Sequence, residues 1–122
     1  MDNPPRRTFR KSERLCSKKV IDALFASGNK SFSAFPLRVV YMERPEPVSQ
    51  VLISVSKRHF KHAVDRNCVK RQIREAYRLN KDLLPTEKGF YIAFIWLSDE
   101  TFSSQVVTNR IINLLTRIKE ND

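Results

Sequence analysis

Apolar positions along the 122-residue chain fall into six stretches whose spacing alternates between helical and extended periods. In "CSKKVIDALFASG", Val20, Ile21, Leu24 and Phe25 form one stripe; Ser17 stands where an N-cap belongs and Gly28 where a helix stops, which predicts a short helix. "FPLRVVYM" and "QVLISVS" are rich in β-branched residues and predict two neighbouring strands. "ERPEPVS" between them carries two prolines that forbid regular structure. Residues 65–80 return to the helical period. "GFYIAFIWL" is apolar at both parities and predicts a central strand, covered on both faces. Residues 101–119 predict an amphipathic helix through Val107, Ile111, Leu114, Leu115 and Ile118. The order is α, β, β, α, β, α, with no internal repeat and no linker. One domain spanning residues 1–122 is expected, with about the first eight residues disordered.

Composition narrows this picture. A hydrophobic fraction of 41% suits a folded domain, and the longest apolar run is far too short to cross a bilayer. The basic N-terminus is not followed by an apolar segment, so the expected location is the cytoplasm and no membrane partner is expected. Cys16 and Cys68 lie far apart without a CxxC spacing, which points to reduced thiols.

Charge changes the picture more. The net charge of +10 divides as +5 over residues 1–19, 0 over 20–56, +6 over 57–78 and −1 over 79–122. A face kept basic for solubility would be spread along the chain; two concentrated segments instead imply a polyanionic partner. On a helical wheel at about 100° per residue, Val69, Ile73, Ala76 and Tyr77 share one side of the 65–80 helix. Arg66, Asn67, Lys70, Arg71, Arg74 and Arg78 crowd a neighbouring arc of roughly 140°, with Glu75 opposite it. Like charges at this density destabilise a helix unless phosphates neutralise them.

Catalytic constellations are thin by comparison. His59 and His62 offer two imidazoles, the side chain suited to acid–base work, but both are crowded by Lys57, Arg58 and Lys61, and neighbouring sequence offers no carboxylate to orient either ring. A zinc set of His59, His62 and Cys68 lacks a fourth ligand. Cys68 has no paired base, and with only Gly28 and Gly89 the chain has no phosphate-cradling loop. The expectation is a binding protein with no catalytic residue and no metal site of its own.

"SVSKRHFKHAVDRNCVKRQIREAYR", together with "ERLCSKKVIDALFASG", "FPLRVVY" and "GFYIAFIWL", resembles the protein subunit of bacterial ribonuclease P over nearly the whole chain. The family's Arg-Asn-Arg signature stands as "DRNCVKRQIRE", with Arg66, Asn67, Lys70, Arg71, Arg74 and Glu75 at matching positions. Two departures are Cys68, where the second Arg of the signature is usual, and Lys61, where many members have Gly. The resemblance implies a small α+β sandwich of three helices on a mostly antiparallel sheet, four strands rather than the three plainly legible. It also implies a left-handed crossover through the basic helix, a handedness opposite to the general rule.

It implies further that the catalyst is a large RNA that removes the 5′ leader from precursor tRNA, with Mg²⁺ held mainly by RNA and no organic cofactor. Arg66, Asn67, Lys70, Arg71 and Arg74 would meet the catalytic RNA. A cleft between the first helix and the sheet would hold the single-stranded leader. Ile21, Phe25 and either Tyr41 or Val40 are its candidate apolar lining, with Lys57 and Arg58 as phosphate contacts. The competing readings are a ribosomal-type RNA-binding module, a self-sufficient nuclease, and a DNA-binding helix-turn-helix. The last is disfavoured, because a strand rather than a helix precedes the basic helix.

Overall fold

The computed structural model describes residues 13–26, 29–85 and 87–121. The elements run α1 (Lys18–Phe25), β1 (Lys30–Ala34), β2 (Leu37–Arg44), β3 (Gln50–Ser54), α2 (Ala63–Asn80), a 3₁₀ turn (Lys81–Leu83), β4 (Gly89–Trp96) and α3 (Ser104–Glu120). The strand legible only through the resemblance is β1. Its sequence, KSFSA, alternates weakly because it pairs on one side only.

The four strands form one sheet in the order β1-β2-β4-β3, antiparallel at β1/β2 and β2/β4 and parallel at β3/β4. β2 and β3, expected to be neighbours, are therefore separated by β4, which corrects the sequence reading. The physical reason is β4 itself: its alternate residues are buried on opposite faces, so it belongs in the centre. The segment joining β2 to β3 must then pass across the start of β4. Gly89 makes this crossing possible, because a Cβ there would collide with the carbonyl oxygen of Glu46. Ser49 Oγ fixes the crossing by accepting from Phe90 N at 3.0 Å.

One face of the sheet is closed. Leu37, Val39 and Tyr41 of β2 and Phe90, Ile92, Phe94 and Trp96 of β4 meet Val69, Ile73, Ala76 and Tyr77 of α2 and the whole predicted stripe of α3. Burial, reinforced by the Glu13 carboxylate, pushes the Tyr77 phenol up from its ordinary value, so this group stays neutral and structural. The helices also secure a sheet edge: Arg117 Nη1 and Arg110 Nε donate to the carbonyls of Ser33 (3.1 Å) and Phe35 (2.8 Å). These arginines of α3 are thereby bound into the fold.

The other face is only partly covered. α1 lies on it through Leu24, with Leu15, Val40 and Ala93 beneath, while Ile21, Met42, Leu52, Tyr91 and Ile95 remain half-buried. Ser17 caps α1 as expected, accepting from Val20 N at 3.4 Å. The expected stop at Gly28 and the expected disorder of about residues 1–8 lie outside the described residues. What closes the helix within them is Asn29, whose Nδ2 donates to the carbonyls of Ala23 and Leu24 at 2.7 Å each.

Candidate RNA interface

α2 carries the larger cationic surface. Its buried stripe points at α3 and the sheet, which leaves Asn67, Arg71 and Arg74 exposed and Lys70 half-buried on the adjoining side. Among the described residues, none of Lys70, Arg71 and Arg74 is held in an ion pair. The ridge expected from the wheel is therefore present, but two of its members behave differently. Arg78 is one: Glu75, the carboxylate one turn before it, accepts from it, with Oε2 2.7 Å from Nη2 and 3.1 Å from Nε.

Arg66 lies in the first turn of α2 and folds toward the preceding segment, where its Nη1 donates to the carbonyls of Phe60 (2.8 Å) and Lys61 (3.2 Å). It thus braces the turn that presents Lys57 and Arg58, both exposed at the end of β3. Cys68 is exposed and carries a free thiol. It falls roughly 100° round the helix from the middle of the ridge, on the flank where Gln72 Nε2 reaches the Phe102 carbonyl at 3.0 Å. Toward β3 the ridge borders a recess of about 220 Å³, where Lys70 and Arg74 face Arg14 and Cys16 across Leu52 and Ile53.

The second surface is the open sheet face beside α1. A recess of about 260 Å³ lies between them, with Val40 and Ile95 as floor, Phe25 as one wall, and Asn29, Ser31 and Arg38 supplying polar groups. Phe25 is 47% exposed, so its ring is available at the rim. Ile21 is half-buried and packs inward with Leu24. Farther along the same face Arg44 lies over the Tyr91 ring, 5.6 Å from its centroid, held from the other side by Glu46 at 2.7 Å. Flat apolar surface flanked by guanidinium groups suits single-stranded nucleic acid of variable sequence: any base has a face to stack and any nucleotide a phosphate.

Tyr41 does not belong to this surface. Successive strand residues point to opposite faces, and Tyr41 takes the closed one. It is 3% exposed, stacks on Phe32 at 5.9 Å and meets the edge of Phe90 at 5.8 Å. Of the two residues offered for this wall, Val40 is the one on the cleft side.

The histidines also need correction. His62 is exposed at the N-cap of α2 without a side-chain cap bond, but His59 has the carboxylate that the sequence reading denied it. Its Nδ1 lies 2.6 Å from Asp99 Oδ1. The two are 40 residues apart in the chain. They meet because β3 and β4 are parallel neighbours, so the segments leaving their C-terminal ends emerge side by side. Among the described residues no three His, Cys, Asp or Glu side chains are grouped to hold a metal ion.

Sequence reasoning therefore missed Asn29, Arg38, Arg44, Tyr91 and Asp99. A signal existed for Arg38 and Arg44, since each is a polar interruption of period two in an otherwise apolar strand. None existed for Asp99, whose role depends on strand order.

Comparison with known proteins bears on this geometry. The family model described as Ribonuclease P matches residues 9–119. The ribonuclease P protein component of Porphyromonas gingivalis is 43% identical over 129 aligned positions, covering 99% of this chain and 93% of that protein. That of Clostridium kluyveri is 33% identical, covering 78% and 84%. The ribonuclease P protein structure from Thermotoga maritima superposes with a TM-score of 0.75 at 29% identity, covering 86% of this chain and 96% of that one. A Staphylococcus aureus ribonuclease P protein shares the fold, with a TM-score of 0.76 at 22% identity, covering 89% and 97%.

Proposed function

The chain belongs to the ribonuclease P protein family, and from that premise we propose that its two surfaces divide the RNA partners between them. It is the protein subunit of a ribonucleoprotein endoribonuclease and assists the RNA subunit in processing the 5′ leader of precursor tRNA. Its partners are thus the ribonuclease P RNA and precursor tRNA.

Asn67, Lys70, Arg71 and Arg74 take phosphates of the catalytic RNA. Arg66 contributes mainly by holding the turn before α2. Phe25, Ile21 and Val40 offer stacking surface to the leader, with Arg38 and the exposed Lys57 and Arg58 beside its backbone. Mg²⁺ is held chiefly by RNA phosphates, and the ridge lowers the repulsion among them. The site of action is the cytoplasm. Among the described residues no helix is long and apolar enough to cross a membrane.

The observation that carries this reading is that, among the described residues, Lys70, Arg71 and Arg74 have no ion-pair partner, beside an open, half-apolar sheet face. A protein using its cations for stability would tie them into the fold, as Arg110 and Arg117 are by backbone carbonyls and Arg78 by Glu75. The test is reconstitution. Rigorously RNA-free protein should leave precursor tRNA intact, and adding the catalytic RNA with Mg²⁺ should produce cleavage. Cleavage by the RNA-free protein, abolished by His59→Ala, would overturn the assignment of catalysis to RNA.

A further inference from the structure

The turn between β3 and α2 holds Lys57, Arg58 and Lys61 within five positions, a density of positive charge that favours spreading into solvent. Two side chains restrain it. From behind, Arg66 binds the Phe60 and Lys61 carbonyls. From the front, the largely buried His59 is met at 2.6 Å by Asp99, on the segment after β4. Asp99 is 77% exposed, so it fills no space in the core; its described contact is this hydrogen bond. An exposed carboxylate is also the wrong charge for a surface that receives phosphates. Retained purely for its field, it would oppose RNA.

We propose that Asp99 is a positioning residue for leader recognition: by accepting from His59 Nδ1–H it anchors the basic turn, so that Lys57 and Arg58 are presented to the phosphates of the precursor tRNA leader in one orientation. The anchor acts in either protonation state of the imidazole, since Nδ1 carries a proton in the charged form and in one neutral tautomer. Preorganised cations lose less freedom when a phosphate arrives, and the saving appears as affinity. The inference rests on Lys57 and Arg58 contacting the leader.

The sign of the effect makes it testable. Simple electrostatics requires that deleting a carboxylate from a cationic surface tighten RNA binding. Anchoring requires the opposite for Asp99→Ala. Asp99→Asn separates the two, because the amide oxygen still accepts from Nδ1–H while the negative charge is gone. The measurement is the dissociation constant of the holoenzyme, assembled with its catalytic RNA, for precursor tRNA and for mature tRNA.

Asp99→Ala should weaken precursor binding roughly two- to five-fold, the loss expected for one hydrogen bond of about 0.5–1 kcal/mol, and leave mature tRNA unchanged. Asp99→Asn should bind the precursor at least as tightly as the parent. His59→Ala should reproduce the loss without adding to that of Asp99→Ala. In a Lys57→Ala/Arg58→Ala background, itself weakened for the precursor, Asp99→Ala should have no further effect. Tightening by both Asp99 variants, or no change in either, overturns the proposal while the background variant still reports leader contact. A background variant with unaltered precursor affinity overturns the leader assignment of the turn, and the proposal with it.

Discussion

Phe25→Ala separates recognition from stability at the cleft. Full burial of a phenylalanine side chain contributes roughly 1.5–3 kcal/mol. With Phe25 47% exposed, about half of that is at stake, so the variant should lose about 1 kcal/mol of stability and remain folded. Its effect on the leader should be larger, because a base stacked on an aromatic ring contributes about 1–3 kcal/mol. At about 1.4 kcal/mol per tenfold change, that is roughly a 5- to 150-fold weaker dissociation constant.

The assay is equilibrium binding of fluorescent precursor tRNA and mature tRNA to holoenzyme, with circular dichroism confirming the fold. Only the leader-bearing substrate should lose affinity. Equal losses on both substrates, or none on either, would refute the placement of the leader against α1. Tyr41→Ala, next to the cleft residue Val40 but on the opposite face of β2, supplies the contrast. Its ring is buried in the closed face, so truncation should cost about 3–5 kcal/mol of stability. Tyr41→Phe, which keeps the ring, should leave leader discrimination unchanged.

Arg74→Ala should leave the melting temperature within about 2 °C, because the side chain is exposed and has no ion-pair partner among the described residues. Titrated against salt, its assembly with the catalytic RNA should be weaker and show a slope shallower by somewhat less than one. Cys68→Arg should fold normally, since the thiol is exposed and no guanidinium would be buried. If RNA reaches this flank of α2, the variant should assemble more tightly with a steeper slope; an unchanged slope would confine the contact to the side bearing Lys70, Arg71 and Arg74. Gly89→Ala should destabilise by about 1–3 kcal/mol, seen in urea melts, because the β2–β3 connection crosses where the methyl group would sit. An unchanged midpoint would contradict that crossing.

How much of this was legible in sequence depended on whether the signal was local. The stripes of α2 and α3 follow from the 3.6 period alone, and the residues named from it are those buried. The ridge was legible for the same reason. Strand order was not, because period two assigns a residue to a face but says nothing of which strand lies alongside. β2 and β3 are consecutive in the chain, yet the crossover through α2 returns β4 between them.

Parity also decides the fate of Tyr41 and Val40. Pattern showed that one faces the cleft and the other the core, but the run "VVY" is apolar throughout and gives no sign which. The Asp99–His59 contact and the two hydrogen bonds from Arg66 required three-dimensional positions, since each joins a side chain to a group whose neighbourhood is set by the fold.

The central claim is that the open sheet face receives the leader while the α2 ridge receives the catalytic RNA. It is tested most directly by site-specific photocrosslinking in the assembled complex. One variant carries a photoreactive side chain at Met42 on the open face; a second carries it at Asn67 on α2. With labelled precursor tRNA bound, position 42 should crosslink to leader nucleotides and position 67 to the catalytic RNA. Crosslinks from position 42 to the catalytic RNA, with the leader captured at position 67 or at neither, would contradict the account.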